Sequence, residues 1–89
     1  MAAYQLRLTP SAMRSIDRLS DRHVWAIMTL IQDRLLNAPH RLGKPLRDEL
    51  DGWRAAPCGT YRIVYWIDED AHAMVVERID HRADVYRPR

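Results

Sequence analysis

Thr60-Tyr61-Arg62-Ile63-Val64-Tyr65-Trp66-Ile67 is the stretch on which the fold class turns. It is a run of β-branched and aromatic residues whose side chains alternate between two faces, as an extended strand requires. Tyr61, Ile63, Tyr65 and Ile67 share one face, which is the face expected to pack against helices. Arg62, Val64 and Trp66 share the other, and Arg62 is left on an open sheet surface. Trp53 to Ala56 and Ala73 to Ile79 read as strands on either side, rich in Val, Ile and Trp. Pro57-Cys58-Gly59 and Asp68 to His72 separate the three runs, which predicts two antiparallel hairpins. Arg54 and Ala56 share a face of the first of these strands, and regular pairing would bring Arg54 near Arg62.

Upstream the period changes. Tyr4 to Leu8 alternates Leu6 and Leu8 with Arg7 and reads as a short strand. Thr9-Pro10 is a helix start, with threonine as cap and proline in the first turn. Ala12, Met13, Ile16 and Leu19 then follow at helical spacing. Ser20-Asp21 interrupts that helix and caps a second, whose apolar stripe is Val24, Met28, Ile31 and Leu35, broadened by Ile27 and Leu30. This helix is expected to stop near Asn37, because Pro39 disfavours helix in the residue before it. Residues 38–52 hold Pro39, Gly43, Pro45 and Gly52 and read as a loop with one helical turn near Arg47 to Leu50. The expected fold is α+β: a single domain over residues 1–89 in β-α-α-β-β-β order, its antiparallel sheet covered on one face by an N-terminal helical hairpin.

Composition narrows the function classes. An 89-residue chain has room for one domain. The single Cys58 rules out an internal disulfide and fits a reducing compartment. Met1 to Arg7 carries charge and polarity where a signal peptide needs an apolar run, and no stretch approaches the ~18–20 apolar residues of a membrane span. A cytoplasmic protein is therefore expected. The net charge is only +2, yet thirteen of the fourteen basic residues are arginine and Lys44 is the sole lysine. Arginine binds phosphate oxygens in pairs, so this bias points to nucleic acid; codon bias in a GC-rich genome explains it equally well.

His81-Arg82-Ala83-Asp84-Val85-Tyr86 follows the last predicted strand. Histidine titrates near neutrality and can pass a proton in either direction. Arg82 can only stabilise charge, and Tyr86 offers a phenol as donor or, with arginines nearby, as base. Each has a plainer reading: His81 in a turn, Arg82 paired with Asp84, Tyr86 as a packed anchor. His23, His40, His72, His81 and Cys58 lack metal-ligand spacing, so neither a metal nor a cofactor is expected. Gly43-Lys44 is followed at once by Pro45 and lacks the rest of a phosphate-binding loop.

The string Gly59-Thr60-Tyr61-Arg62-Ile63-Val64-Tyr65 resembles the central strand of the RelE/ParE superfamily of bacterial toxins. His81-Arg82 with Val85-Tyr86 resembles the ending of its RelE branch. Leu36-Asn37-Ala38-Pro39, Gly43-Lys44-Pro45-Leu46 and Trp53-Arg54 recur there in the same order, so the likeness spans essentially the whole chain. It implies the toxin of a type II toxin–antitoxin pair that cleaves mRNA in the ribosomal A site without a metal. The ribose 2′-hydroxyl attacks its own phosphate, giving a cyclic phosphate and a free 5′-hydroxyl. By the same resemblance Arg62 neutralises the phosphorane, Arg54 orients the phosphate, Arg82 and Tyr86 complete the site, and His81 is a candidate acid or base.

Two departures stand out. Members often carry a second basic residue two positions after the one matched by Arg54, where this chain has Ala56. The turn at Pro57-Cys58-Gly59 is also one residue longer than usual. Lys44 and Arg47 can supply charge from the loop, or equally lie on solvated surface. The resemblance further implies a RelB-like antitoxin in a hetero-oligomer, with Leu35, Leu36 and Leu42 as possible anchors, and the ribosome and mRNA as targets. The rival within the superfamily is a ParE-like toxin that inhibits DNA gyrase and cuts nothing. A module that only binds antitoxin is a third reading.

Overall fold

A computed structural model describes residues 3–46 and 52–81 of the chain. The elements are β1 (Gln5–Leu8), α1 (Pro10–Asp17), α2 (Asp21–Leu30), a π-helical turn (Ile31–Leu35), α3 (Pro39–Leu42), β2 (Lys44–Pro45), β3 (Arg54–Cys58), β4 (Tyr61–Asp68) and β5 (Ala73–His81). The expected β-α-α-β-β-β order is present, with α3 and β2 added inside the segment read as loop. The helical turn expected near Arg47 to Leu50 lies outside the described residues.

The strands form one sheet in the order β1-β5-β4-β3-β2. Three of its four pairings are antiparallel, whereas β1 runs parallel to β5, so the sheet is mixed. The two helices between β1 and the hairpins are the crossover that a parallel neighbour needs. The β3–β4 turn is tighter than expected: Pro57 and Cys58 belong to β3, and Gly59-Thr60 alone makes the turn. Gly59 has φ +60°, the left-handed conformation that two-residue hairpins favour. Pro57 lacks a strand donor, but β2 pairs only with Arg54 and Ala55, so at Pro57 β3 is already the sheet edge.

Both helices start where the sequence signals them. The Thr9 hydroxyl accepts from the Ala12 amide (3.1 Å), with Pro10 in the first turn, and the Ser20 hydroxyl accepts from the His23 amide (3.4 Å). Thr9 also donates its hydroxyl to the Glu77 carbonyl (3.1 Å) and its amide to the Val76 carbonyl (3.2 Å). This matters because β5 carries a bulge there. Val64 pairs with Arg78 and Tyr65 with Val76, which leaves Glu77 as the extra residue.

The core lies between the helices and one sheet face. Ala12, Ile27, Ile31 and Leu35 pack on Ala56, Ile63, Tyr65, Met74, Val76 and Ile79. Met13, expected on the inner stripe of α1, is 54% exposed, because Ala12 and Ile16 occupy the face turned to the sheet. Leu35 is fully buried and Leu36 and Leu42 pack against the same cluster, so the three leucines serve the core first.

Tyr65 is the largest side chain in that core and has no exposure. Its hydroxyl donates to the Pro39 carbonyl at 2.6 Å. Burial holds the phenol's pKa above its usual value, against the opposing pull of the Arg54 guanidinium, so it stays a proton donor at physiological pH. Gly43 has an ordinary φ of −95°, but a Cβ there would run into the Tyr65 hydroxyl and ring. Tyr65→Phe should therefore lose about 1–3 kcal/mol, the cost of an unpaired buried carbonyl. Gly43→Ala should lose more, since backbone must move. Urea unfolding of both variants against wild type measures the two losses.

Candidate nucleic-acid interface

The face of the sheet turned away from the helices carries the arginine predicted to be central. Arg62 stands on β4 between Pro57 of β3 and Asp80 of β5. The next row on this face runs Lys44, Ala55, Val64, Arg78 across four strands. Beyond the bulge, Trp66 and Val75 continue it to Arg7 of β1. Val64 and Ala55 are 1% and 6% exposed although no part of the helix-side core includes them. The longer side chains beside them explain this in part. Arg78 starts opposite Val64 and reaches the Trp53 ring, its guanidinium carbon 5.9 Å from the centroid.

The surface is a mixed one. Arg78 Nε donates to Asp80 Oδ2 at 2.6 Å, and the Trp66 indole donates to Glu77 Oε2 at 2.7 Å. Its bases are Arg7, Arg62, Arg78 and Lys44, its aromatics Trp53 and Trp66, and its acids Asp80 and Glu77. Of these, the sequence reading marks only Arg62 and Lys44 as site residues; Arg7, Arg78, Asp80, Glu77, Trp53 and Trp66 are added by the structure. The signal for Arg78 and Asp80 was present in the phase of β5. Met74 and Val76 face inward, and so does Ile79, three positions on; a strand can do this only by inserting a bulge, which turns Arg78 and Asp80 outward.

Arg54 does not join this surface. It pairs with Tyr65, on the helix-facing side, and so lies on the opposite face from Arg62. Its Nη2 donates to the carbonyls of His40 (2.6 Å) and Gly43 (2.5 Å), and its Nε is buried without a partner. Arg54 is thus not brought beside Arg62, as regular pairing was expected to do; in this structure it ties the α3 segment to the sheet. It borders a cavity of about 200 Å³ lined also by His40, Pro45, Trp53, Ile67 and Glu69.

His81 closes β5 opposite Tyr61, one register step from the Arg62–Asp80 pair and therefore on the other face. Its ring meets Tyr61 edge-on at 5.3 Å, and His23 of α2 meets the same tyrosine at 5.0 Å. The structure thus brings His81 and Arg62 to one end of the sheet but not to one surface. Lys44 is exposed on β2, in the row of Ala55. Arg47, Arg82 and Tyr86 lie outside the described residues. Among the described residues, no three His, Cys, Asp or Glu side chains group so as to hold a metal ion, and no helix is long and apolar enough to cross a membrane.

This fold and its open arginine face define a class. A family model described as the ParE toxin of type II toxin–antitoxin system, parDE, matches residues 6–86. The chain belongs to that family, within the RelE/ParE superfamily, and is a toxin of the type II toxin–antitoxin class. Among its relatives it is 43% identical to Toxin RelG of Mycobacterium tuberculosis, over 94% of this chain and 97% of that protein. It is 40% identical to Toxin RelE of the same organism, over 94% and 87%. A chain of the toxin–antitoxin complex RelBE2 from M. tuberculosis superposes with a TM-score of 0.86 at 42% identity, covering 94% of this chain and 97% of that one. The intact Escherichia coli RelBE complex contains a chain of the same fold, with a TM-score of 0.76 at 17% identity over 89% and 96%.

The opposed faces of Arg54 and Arg62 give separable outcomes. Arg54→Ala removes a charged donor from two carbonyls and should cost about 1.5–3 kcal/mol of stability. Arg62→Ala, half-buried on the open face, should cost less stability than Arg54→Ala. Thermal and urea unfolding of the pair test the assignment.

Proposed function

We propose that this toxin is a metal-independent endoribonuclease that cleaves mRNA in the ribosomal A site and so arrests translation. The observation that carries the reading is Arg62: a strand arginine on an open sheet face, with Arg78 in the next row of side chains and two tryptophans beyond it. Such a surface combines charge for a phosphate with aromatic planes for unstacked bases. The ribose 2′-oxygen attacks the adjacent phosphorus, the bond to the 5′-oxygen breaks, and the products are a 2′,3′-cyclic phosphate and a 5′-hydroxyl. The 2′-proton must leave and a proton must reach the 5′-oxygen.

In this reading Arg62 neutralises the phosphorane's charge, the task to which a fixed guanidinium is suited. Proton transfer falls to the end of the sheet where β5 finishes: His81, which borders the Arg62 face from the opposite side, and Tyr86 are the candidates, while Arg82 adds charge. Lys44, and Arg47 by its sequence position, add charge for the flanking backbone. Outside translation the toxin is held by a RelB-like antitoxin in a cytoplasmic hetero-oligomer. The solved RelB–RelE complexes of the same fold support that partnership.

A second reading has its own support, since the matching family model is named for ParE. A ParE-like toxin would inhibit DNA gyrase and leave mRNA whole. Mapping mRNA 5′ ends in a translating extract separates the two. The expected result is ribosome-dependent cuts within codons, reduced at least a hundredfold by Arg62→Ala on the scale set by losing one transition-state charge partner. Intact mRNA with wild-type toxin, together with blocked supercoiling by gyrase, would establish the second reading instead.

A further inference from the structure

The Arg62 surface contains a second arginine whose surroundings differ in kind. Arg78 is already paired, its Nε 2.6 Å from Asp80 Oδ2, and its side chain is 37% exposed. Its guanidinium carbon lies 5.9 Å from the centroid of Trp53. Trp53 is itself fixed through its backbone, its carbonyl accepting from the Leu46 amide at 2.8 Å. A guanidinium neutralised by a carboxylate and set against an indole is a poor phosphate clamp. It is instead a flat, amphipathic surface of the kind on which unstacked nucleobases lie.

Register fixes where that surface sits relative to Arg62. Arg62 pairs with Asp80, and Val64, two residues on, pairs with Arg78. Diagonal neighbours of this type stand about 7–8 Å apart on one sheet face. Asp80 serves both arginines, holding Arg78 by its carboxylate and facing Arg62 across the strands. A phosphate at Arg62 thus has Arg78 one side-chain row away, beside Val64, and Trp53 a row further on, where the Arg78 guanidinium reaches it.

We propose that Trp53 and Arg78 form a seat for one base of a single-stranded RNA whose phosphate is held at Arg62, and that this seat selects the nucleotide beside the cut. The inference rests on the nuclease reading and adds a specificity determinant to it. Trp53 and Arg78 position the substrate and take no part in bond breaking. Asp80 orients Arg78.

The test compares wild type, Trp53→Ala, Trp53→Phe and Arg78→Gln on two substrates. One is mRNA in a translating extract, with 5′ ends mapped. The other is a short single-stranded RNA with a 2′-deoxy sugar at the cut position, used for binding alone. Trp53→Ala and Arg78→Gln should weaken binding and raise KM about five- to hundredfold, the range that base stacking is worth, while kcat changes less. Their cuts should spread over more nucleotide contexts, and Trp53→Phe should restore the wild-type pattern. Unchanged KM and cut pattern in folded Trp53→Ala or Arg78→Gln, with wild type cutting normally, overturns the seat and leaves the nuclease reading intact. Wild type that neither cuts mRNA nor binds the short RNA overturns both. Should Trp53→Ala fail to fold, Arg78→Gln, at a part-exposed side chain, decides alone.

Discussion

Everything on the open face depends on how β4 is anchored from behind, and that anchor is the Tyr65 hydroxyl on the Pro39 carbonyl. The bond is 2.6 Å long and sealed from water, so its loss would leave a buried polar group without a partner. Arg54 completes the latch from the adjacent strand by gripping the His40 and Gly43 carbonyls. Gly43 lets the α3 segment approach the tyrosine ring closely enough for both. Three backbone carbonyls of one short segment are thereby tied to two strands. The helix-side face of β4 is thereby held at Tyr65, three residues on from Arg62 on the reverse.

That division of labour explains why adjacent residues in this chain do unrelated things. Arg54 and Ala55 point to opposite faces, as do Tyr61 and Arg62, so a shift of one position exchanges structure for surface. The bulge at Glu77 makes the same exchange within β5. Upstream of it Met74 and Val76 feed the core; downstream Ile79 does so, and Arg78 and Asp80 are turned outward. Thr9 stabilises the irregularity by taking the Glu77 carbonyl, so the cap of α1 also supports the bulge that exposes Arg78. Local helix signals and the character of the open face are coupled through one hydroxyl.

Much of this was legible in the residues. The β4 alternation identified the buried and open faces, and Thr9-Pro10 and Ser20-Asp21 marked both helix starts. The β-α-α-β-β-β order followed from them. What escaped were features that depend on pairing between distant segments. Parallel addition of β1 to β5 requires knowing which sheet edge is vacant, and Lys44-Pro45 is too short to read as a strand. Arg54 was misplaced because alternation tells which residues share a face of one strand but not which face of its neighbour they join. Register settles that, and here it pairs Arg54 with Tyr65. Arg78 was missed for a related reason: reading Ala73 to Ile79 as one regular strand hides the phase change at Glu77.

The same register bears on the most conspicuous departure from the superfamily pattern, Ala56. It pairs with Ile63, is 2% exposed and packs in the helix-side core. A basic side chain at that position would start in the helix-side core beside Ile63, where burying its charge is costly. A small apolar residue such as alanine suits that buried position, and its presence removes no charge from the open face. The positions of β3 that do reach that face are Ala55 and Pro57, both small and neutral. Positive charge beside Arg62 must then come from the other neighbour, β5, and that is where Arg78 stands. The second arginine of the surface stands on the strand after β4, and the bulge at residue 77 is what turns it outward.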